Sequence, residues 1–238
     1  MIVAQRGGRG QDDAMTSVLD LARVLPVVVL EDVADAVPLA RALVAGGLPA
    51  IEVTLRTPAA TAAIERIAAA VPEAVVGAGT VLSPRQARAA ADAGARFLVS
   101  PGWTPRLLDA MAATGLPFLP GASTASEVMA LLERGVGEVK FFPAEAAGGA
   151  AYLASLAGPL PGARFCPTGG IDAGRARAYL ALPNVGCVGG SWMLPRSAVG
   201  AKDWPAVERL ARAAAELTPA AAPGPSAPGV NPAGAPCR

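Results

Sequence analysis

The sequence has 238 residues, of which 53% are hydrophobic and 16% are charged, and its formal net charge at pH 7 is +1. This length and composition provide for one large domain with a sizeable core. The near-zero charge and the lack of a polybasic or long apolar segment predict no nucleic-acid partner and no membrane association, so we expect a small-molecule ligand.

The two ends of the chain differ from the part between them. Residues 1–15 lack an apolar stretch of signal-peptide length, and we predict a disordered extension. The alternative is that the start site is misplaced and that Met15 is the true start. Residues 218–238 are rich in alanine, proline and glycine. They cannot bury enough apolar area to offset the cost of ordering, so we predict a disordered tail. The folded domain is predicted to span 16–217.

Short apolar runs alternate with alanine-rich segments of helical periodicity across this domain. The runs that predict strands begin, in chain order, at Pro26, Ala50, Val75, Phe97, Pro117, Glu138, Arg164 and Val185. The segments that predict helices are 33–46, 58–70, 84–93, 105–114, 124–134, 149–157, 172–181 and 203–217.

Eight strand and helix alternations predict an α/β fold with a parallel sheet, and eight is the number that closes into a single (β/α)8 TIM barrel. The alternative is an open doubly wound sheet, which usually carries a glycine-rich phosphate fingerprint after its first strand. The stretch PVVVLEDVADA contains no glycine. Glycines instead follow the seventh and eighth strands, where barrels often bind phosphate, so the barrel is favoured.

Polar residues interrupt a strand that should be apolar if both of its faces are covered. In IEVTLR, the polar residues Glu52, Thr54 and Arg56 alternate with apolar ones. Because side chains repeat every two residues along a strand, the three polar residues share one face. The apolar face suits the helix layer, so the polar face is predicted to line the barrel interior.

The run EVKFFPA places Lys140 on the interior face of another strand. The sequence contains only two lysines, Lys140 and Lys202, against eighteen arginines. A guanidinium stays protonated and is a poor nucleophile, whereas the free amine of a lysine attacks carbonyl carbons to form a Schiff base. Two structural alternatives remain open: an ion pair with Glu52, or an ammonium that reaches the barrel rim.

Glycine-rich turns supply the other candidates. Gly77 and Gly79 allow a close approach before Thr80, either for a ligand or for tight packing of the barrel. The turns Thr168-Gly169-Gly170 and Gly189-Gly190-Ser191 present N–H groups and hydroxyls that could hold an anion, although ordinary strand-to-helix turns use the same residues. Arg175 and Arg177 are predicted to form a solvated helix face.

Histidine is absent from the sequence, which removes the commonest general base and metal ligand. Proton transfer must therefore fall to a carboxylate, a lysine, a tyrosine or water. Three cysteines, Cys166, Cys187 and Cys237, lack the spacing of metal ligands, and we expect reduced structural thiols in a cytoplasmic protein.

Six segments resemble the class I aldolases that cleave 2-keto-3-deoxy-6-phosphogluconate (KDPG), many of which also act on 4-hydroxy-2-oxoglutarate (KHG). They are ALVAGGLPAIEVTLRT, VPEAVVGAGTVLSPRQ, GARFLVSPG, EVKFFPAEAAGG, RFCPTGGI and VGCVGGSWMLP. The resemblance spans about residues 20 to 215 in the family's order. It implies a homotrimer of the Entner-Doudoroff pathway that needs no metal and no other cofactor.

The resemblance also implies roles for individual residues. Lys140 would be the Schiff-base nucleophile, and Glu52 would be the general acid/base. The substrate would be bound by Arg56 and Thr80 at its carboxylate, by Pro101 and Phe142 around the imine, by Thr168 near the hydroxyls, and by Gly169, Gly170, Gly190 and Ser191 at its phosphate.

Three other functions remain open at this point. The galactonate epimer of KDPG could be the substrate, although the hydroxyl of Thr168 near the stereocentre favours the gluconate form. A phosphosugar isomerase or epimerase on the same barrel would need a second interior acid or base, and only Glu52 is placed there. In a non-catalytic phosphosugar binder, Lys140 would be only a counter-ion.

Overall fold

The computed structural model describes residues 17–218. The predicted extension, 1–15, lies outside the described residues. So does the predicted tail, 218–238, apart from its first residue.

Within the described residues, short strands alternate with helices as predicted. The strands are β1 (Val24–Val28), β2 (Ala50–Thr54), β3 (Val75–Gly79), β4 (Leu98–Val99), β5 (Phe118–Leu119), β6 (Gly121–Ala122), β7 (Glu138–Phe141), β8 (Arg164–Pro167) and β9 (Val188–Gly190). The helices are α1 (Ala36–Ala45), α2 (Ala60–Ala70), α3 (Pro84–Asp92), α4 (Pro105–Ala112), α5 (Ala125–Glu133), α6 (Gly149–Ser155), α7 (Ala173–Leu180), α8 (Arg196–Gly200) and α9 (Trp204–Ala215). Short 3-10 turns at Val18–Asp20 and Val33–Asp35 precede β1 and α1.

Side-chain caps begin several of these helices. Ser83 and Thr104 each accept a hydrogen bond from a backbone N–H in the first turn, and each is followed by a proline at the first helical position. Thr124 and Glu127 form a reciprocal capping box at the start of α5. Each cap contributes about 1 kcal/mol to helix stability. The local sequence therefore determines where α3, α4 and α5 begin.

The strands form a curled parallel sheet. One run has the order β5-β4-β3-β2-β1-β9, and a second has the order β6-β7-β8. Pro120 separates β5 from β6, which together make up the single strand predicted from Pro117, because proline has no N–H to donate to a sheet. The first half pairs with β4 and the second half with β7, so this segment joins the two runs.

On the other side of the sheet, β8 contacts the segment that leads into β9. Phe165 and Thr168 form parallel bridges with Val185 and Gly189. The N–H of Phe165 also donates to the carbonyl of Asn184 at 2.8 Å. This curvature brings strands that are far apart in the sequence to face each other across the interior.

Two layers of apolar side chains follow from the alternation along each strand. Ile51 and Val53 of β2 pack outward against the helices, as do Val139 and Phe141 of β7. Inside the curled sheet, a second buried cluster contains Val18, Leu19, Leu25, Ala50, Phe97, Val99, Leu119, Cys166 and Cys187. Both cysteines of this cluster are free thiols.

Some element boundaries differ from the prediction. β1 begins at Val24, before the predicted Pro26, because Val24 and Leu25 pair with residues of β9. The regular part of β9 begins at Val188, later than the predicted Val185. Helix α8 was not predicted, since a five-residue helix is too short to carry a periodic pattern.

None of the helices in residues 17–218 is long and apolar enough to cross a bilayer. The same part of the chain contains no group of three His, Cys, Asp or Glu side chains that could hold a metal ion.

Candidate active site

A buried ion pair joins two strands that are not neighbours in the sheet. Lys140 of β7 donates a hydrogen bond from Nζ to Oε1 of Glu52 of β2 at 3.0 Å, and the distance to Oε2 is 3.5 Å. The two residues are only 5% and 1% exposed. Both strand faces were therefore assigned correctly, and both side chains point into the interior.

Such a pair is poor evidence for a stabilising role. Removing two charges from water costs several kcal/mol per ion, which the attraction between them often does not recover, and apolar residues would fill the same space at lower cost. Glu52 is also the only acidic side chain that is buried in residues 17–218. A buried amine in contact with a buried carboxylate supplies the nucleophile and the proton-transfer group that Schiff-base chemistry requires.

Gly79 of β3 provides the space for the Glu52 carboxylate. An added Cβ at this glycine would lie 2.2 Å from Oε1 and 2.5 Å from Cγ of Glu52. At Gly77 an added Cβ would instead lie 2.4 Å from the ring of Phe97. Both glycines therefore give room to side chains of the chain itself, since Gly77 lies against the ring of Phe97 and Gly79 lies against the acid. A close approach of the ligand at this pair stays a prediction.

An aromatic ring lies on the other side of the lysine. The ring centroid of Phe142 is 5.5 Å from Nζ of Lys140, within the range of a cation–π contact. The preceding residue, Phe141, faces the helix layer and stacks on Tyr152 at 5.8 Å between centroids. The two adjacent phenylalanines therefore have different roles, because one supports the strand and the other borders the amine.

Arg56 and Thr80 lie just beyond the ends of β2 and β3. Nε of Arg56 donates to Oγ1 of Thr54 at 3.1 Å, and the Thr54 hydroxyl donates to the carbonyl of Val28 at 2.8 Å. Thr80 has a positive φ of 57°, which is uncommon for a residue with a branched side chain. The buried Thr54 hydroxyl thus links the exposed Arg56 to β1, a connection that the sequence did not indicate.

Pro101 and Phe142 border one small cavity of about 280 Å³. An added Cβ at Gly121 would lie 2.2 Å from the carbonyl of Pro101, so the segments after β4 and β5 approach closely there. A larger cavity of about 780 Å³ is lined by Arg56 and Ser191 among other residues. The Lys140–Glu52 pair lines neither cavity.

The turns after β8 and β9 lie side by side. Thr168 is buried, and an added Cβ at Gly189 would lie 2.2 Å from its Oγ1. Gly169 and Gly170 have positive φ angles of 107° and 77°, which favour glycine. An added Cβ at Gly190 would lie 2.0 Å from the ring of Trp192, and Ser191 is exposed at the end of β9.

The larger cavity contains charged residues that the sequence analysis did not single out. Arg196, at the start of α8, lines it together with Arg56 and Ser191, and so do the acidic residues Asp32 and Asp35. Lys202 pairs with both of these, at 3.7 Å and 2.7 Å respectively. The hydrogen bond to Asp35 raises the pKa of Lys202. Glu31 also lines the cavity, so the second lysine of the chain offsets only part of the negative charge there, and Arg56 and Arg196 supply the remaining positive charge.

A polar cluster behind the Gly169-Gly170 turn was also missed. The hydroxyl of Tyr179 donates to Oε1 of Glu145 at 2.6 Å, and Nε of Arg175 lies 3.3 Å from Oε2 of the same carboxylate. Arg175 was predicted to belong to a solvated helix face, and it is exposed, but it also contacts the turn. No sequence pattern marks such contacts, because the partners lie on different elements.

Comparison with known proteins shows which family the chain belongs to. The family model for KDPG and KHG aldolase matches residues 15–210. The KHG/KDPG aldolase of Escherichia coli K12 is 51% identical over 84% of this chain and 94% of its own length. The 2-dehydro-3-deoxy-phosphogluconate aldolase of Pseudomonas aeruginosa is 50% identical over 82% of this chain and 89% of its own length.

A solved structure gives the same result. The KDPG aldolase of Legionella pneumophila, with pyruvate captured as a covalent carbinolamine intermediate, superposes with a TM-score of 0.81 at 45% identity, over 83% of this chain and 96% of that chain. The family resemblance found in the sequence is confirmed. This chain belongs to the KDPG and KHG aldolase family.

Proposed function

We propose that this chain is a class I aldolase that cleaves KDPG to pyruvate and glyceraldehyde 3-phosphate through a Schiff base on Lys140. The observation that carries the proposal is the contact of 3.0 Å between the buried Lys140 amine and the only buried carboxylate in residues 17–218. Family membership supports it independently.

The first half of the reaction forms the imine. Glu52 is close enough to accept the proton that the Lys140 ammonium must lose before it can attack. The free amine adds to the C2 ketone to give a carbinolamine, which loses water to give a protonated imine. The Phe142 ring beside Nζ excludes water from one side of this cation.

The second half breaks the carbon–carbon bond. Removal of the C4 hydroxyl proton lets the C3–C4 electron pair move toward the protonated imine, so glyceraldehyde 3-phosphate leaves and an enamine remains. Protonation at C3 and addition of water to the imine then release pyruvate and restore the amine. Glu52 is the acid/base group for these transfers, and such assistance accelerates a reaction about 10²–10⁴-fold.

The remaining predicted residues would bind the substrate. Arg56 and Thr80 are proposed to hold the carboxylate, and Pro101 to border the imine with Phe142. Thr168 would contact a hydroxyl near the C4 stereocentre, which favours the gluconate over the galactonate epimer. Comparison of the turnover rates of the two epimers checks that preference.

The phosphate is proposed to lie between the turns after β8 and β9, at Gly169, Gly170, Gly190 and Ser191. Arg196 extends this set, because it lines the same cavity as Ser191 and can form charge-assisted hydrogen bonds with a phosphate. KHG, which has no phosphate, is proposed as a second substrate. The name of the E. coli relative couples the same two compounds.

The architecture and assembly of the chain complete the proposal. The bridges between β8 and the β9 segment support a closed (β/α)8 barrel that forms one domain over 16–217. The homotrimer and the cytoplasmic location remain predictions, which sedimentation and cell fractionation would check. A phosphosugar isomerase is disfavoured, since among residues 17–218 no second buried carboxylate lies opposite Glu52.

Borohydride reduction in the presence of pyruvate tests the proposal. We expect mass spectrometry to find the reduced adduct on the peptide that contains Lys140, and Lys140→Ala to abolish it. Lys202→Ala is the matched control, since Lys202 is the only other lysine in the sequence and is exposed. An unmodified Lys140 in protein that binds pyruvate would refute Schiff-base catalysis and favour the non-catalytic binder.

A further inference from the structure

The Tyr179 side chain makes a contact that the proposed mechanism does not use. Tyr179 is 1% exposed and lies on α7, and its hydroxyl donates to Oε1 of Glu145 at 2.6 Å. Burial and the neighbouring carboxylate raise the pKa of this phenol, so it remains a hydrogen-bond donor throughout the physiological range. Glu145 follows β7 and belongs to the same segment as Lys140.

Glu145 packs directly against the Gly169-Gly170 turn. Its backbone N–H donates to the carbonyl of Gly169 at 3.1 Å, and the N–H of Ala144 donates to the carbonyl of Thr168 at 2.8 Å. An added Cβ at Gly170 would lie 2.9 Å from both Cβ and Cγ of Glu145. The position of this side chain therefore limits where the turn can lie.

Arg175 holds the same turn from the other side. Its guanidinium donates to the carbonyl of Gly170 at 3.1 Å and lies 3.3 Å from Oε2 of Glu145. It also pairs with Asp172 at 3.0 Å, and Asp172 caps the start of α7. The turn is thus fastened both to α7 and to the segment after β7.

These contacts reduce the electrostatic repulsion between Glu145 and a phosphate bound at the turn. A carboxylate next to a turn that holds a phosphate dianion would repel the ligand unless its own charge were offset. Tyr179 donates a hydrogen bond to the Glu145 carboxylate, and Arg175 shares its positive charge between Glu145 and Asp172, so Glu145 can fix the turn with less repulsion of the anion. A turn fixed before binding loses less conformational entropy when the ligand arrives.

We propose that Tyr179 and Arg175 are positioning residues that act through Glu145 on the Gly169-Gly170 turn and thereby set the preference for phosphorylated over unphosphorylated substrates. The inference rests on the proposed function, and it assigns to these side chains an effect on phosphate binding that is separate from the chemistry at Lys140.

Matched variants of the full chain test the inference. Tyr179→Phe removes the hydroxyl and keeps the ring, and Tyr152→Phe, at the only other tyrosine, is its control. Arg175→Gln removes the guanidinium, and Arg177→Gln removes the same charge from an exposed position on the same helix. The readouts are kcat and KM for KDPG and for KHG, together with calorimetric binding of inorganic phosphate, which needs no turnover.

For Tyr179→Phe and Arg175→Gln, we expect the KM for KDPG and the Kd for phosphate to rise about five- to tenfold. A change of this size corresponds to the loss of roughly one good hydrogen bond. The kcat for KDPG and both constants for KHG should change less than about twofold, and the control variants should match wild type. Arg175→Gln decides the result if Tyr179→Phe does not fold, because the Arg175 side chain is exposed.

Two results would overturn the inference: equal losses on both substrates, which a merely structural role predicts, or unchanged phosphate binding in Arg175→Gln. Wild-type protein that forms the pyruvate adduct but binds no phosphate would also overturn it, while the Schiff-base function would stand. Absence of the adduct would instead refute the proposed function, and the phosphate titrations of wild type and Arg175→Gln would still support or overturn the role of the turn.

Discussion

Replacing Gly79 with alanine would test whether the position of the Glu52 carboxylate controls the rate of catalysis. The new Cβ would lie 2.2 Å from Oε1, 2.5 Å from Cγ and 2.7 Å from Cδ of Glu52. Carbon atoms in favourable contact are about 3.5–4.0 Å apart. The carboxylate must therefore move by more than about 1 Å, because the backbone of β3 is held by pairing with β2 along its whole length.

The expected losses follow from this displacement. Overpacking of a buried site costs about 1–3 kcal/mol of stability. A catalytic group misplaced by about 1 Å can cost about 10²-fold in rate. We therefore expect Gly79→Ala to fold with reduced stability and to lose about 100-fold in kcat for KDPG.

The assay is steady-state release of pyruvate from KDPG, with stability measured by urea unfolding. Gly77→Ala is the control, because its added Cβ would meet the Phe97 ring at 2.4 Å and not the acid. We expect a similar loss of stability but a much smaller loss of kcat. Equal losses of kcat in the two variants, or a Gly79→Ala enzyme with wild-type kcat, would refute the reasoning about Glu52.

Three further changes have distinct expected outcomes. Glu52→Gln should lower kcat about 10²–10⁴-fold while pyruvate can still be trapped by borohydride at a reduced rate, as measured by mass spectrometry. Arg196→Gln should raise the KM for KDPG about tenfold and leave the KM for KHG unchanged, since removing a charged partner of a phosphate costs roughly 1.4 kcal/mol or more. Arg209→Gln removes the same charge at an exposed position on α9 and is the control. The hydrogen bond from Arg164 lowers the pKa of Asp20. The stability that this bond contributes to the fold is therefore fully present above the pKa of the unfolded carboxyl, about 3.9, and is lost as the pH falls through the pKa of the folded state. Asp20→Asn should therefore reduce stability at pH 7 by less than about 1 kcal/mol and weaken the loss on acidification, as followed by thermal unfolding at several pH values.

The central pair of the site could be predicted because strand periodicity is a strong signal. Glu52 and Lys140 each interrupt a run that is otherwise apolar, and the alternation along a strand assigns each to one face. In a parallel sheet covered by helices, the face opposite the helix-packed residues must be the interior. That argument predicted that the two side chains lie inside, and the family resemblance supplied the chemistry.

The supporting contacts could not be predicted in the same way. Tyr179, Glu145 and Arg175 lie on different elements, and their contacts depend on how the turns after β7 and β8 approach each other. Pro120 divides a strand that the apolar pattern predicts to be continuous, and the two halves have different partners. Helix α8, and with it Arg196, was missed because the surrounding residues carry too short a pattern.

The second apolar cluster, inside the curled sheet, affects how substrate and products can reach the Lys140–Glu52 pair. Val18 and Leu19 of the first turn are 2% and 1% exposed and pack with Leu25 and Phe97 near the N-terminal ends of the strands. Because these apolar side chains fill that end, we expect substrate and products to enter and leave at the C-terminal ends of the strands. Pyruvate stays attached to the protein until the enamine is protonated and hydrolysed, whereas the aldehyde is free as soon as the bond breaks. In the proposed mechanism, release is therefore ordered with the aldehyde first, and added pyruvate should act as a competitive product inhibitor.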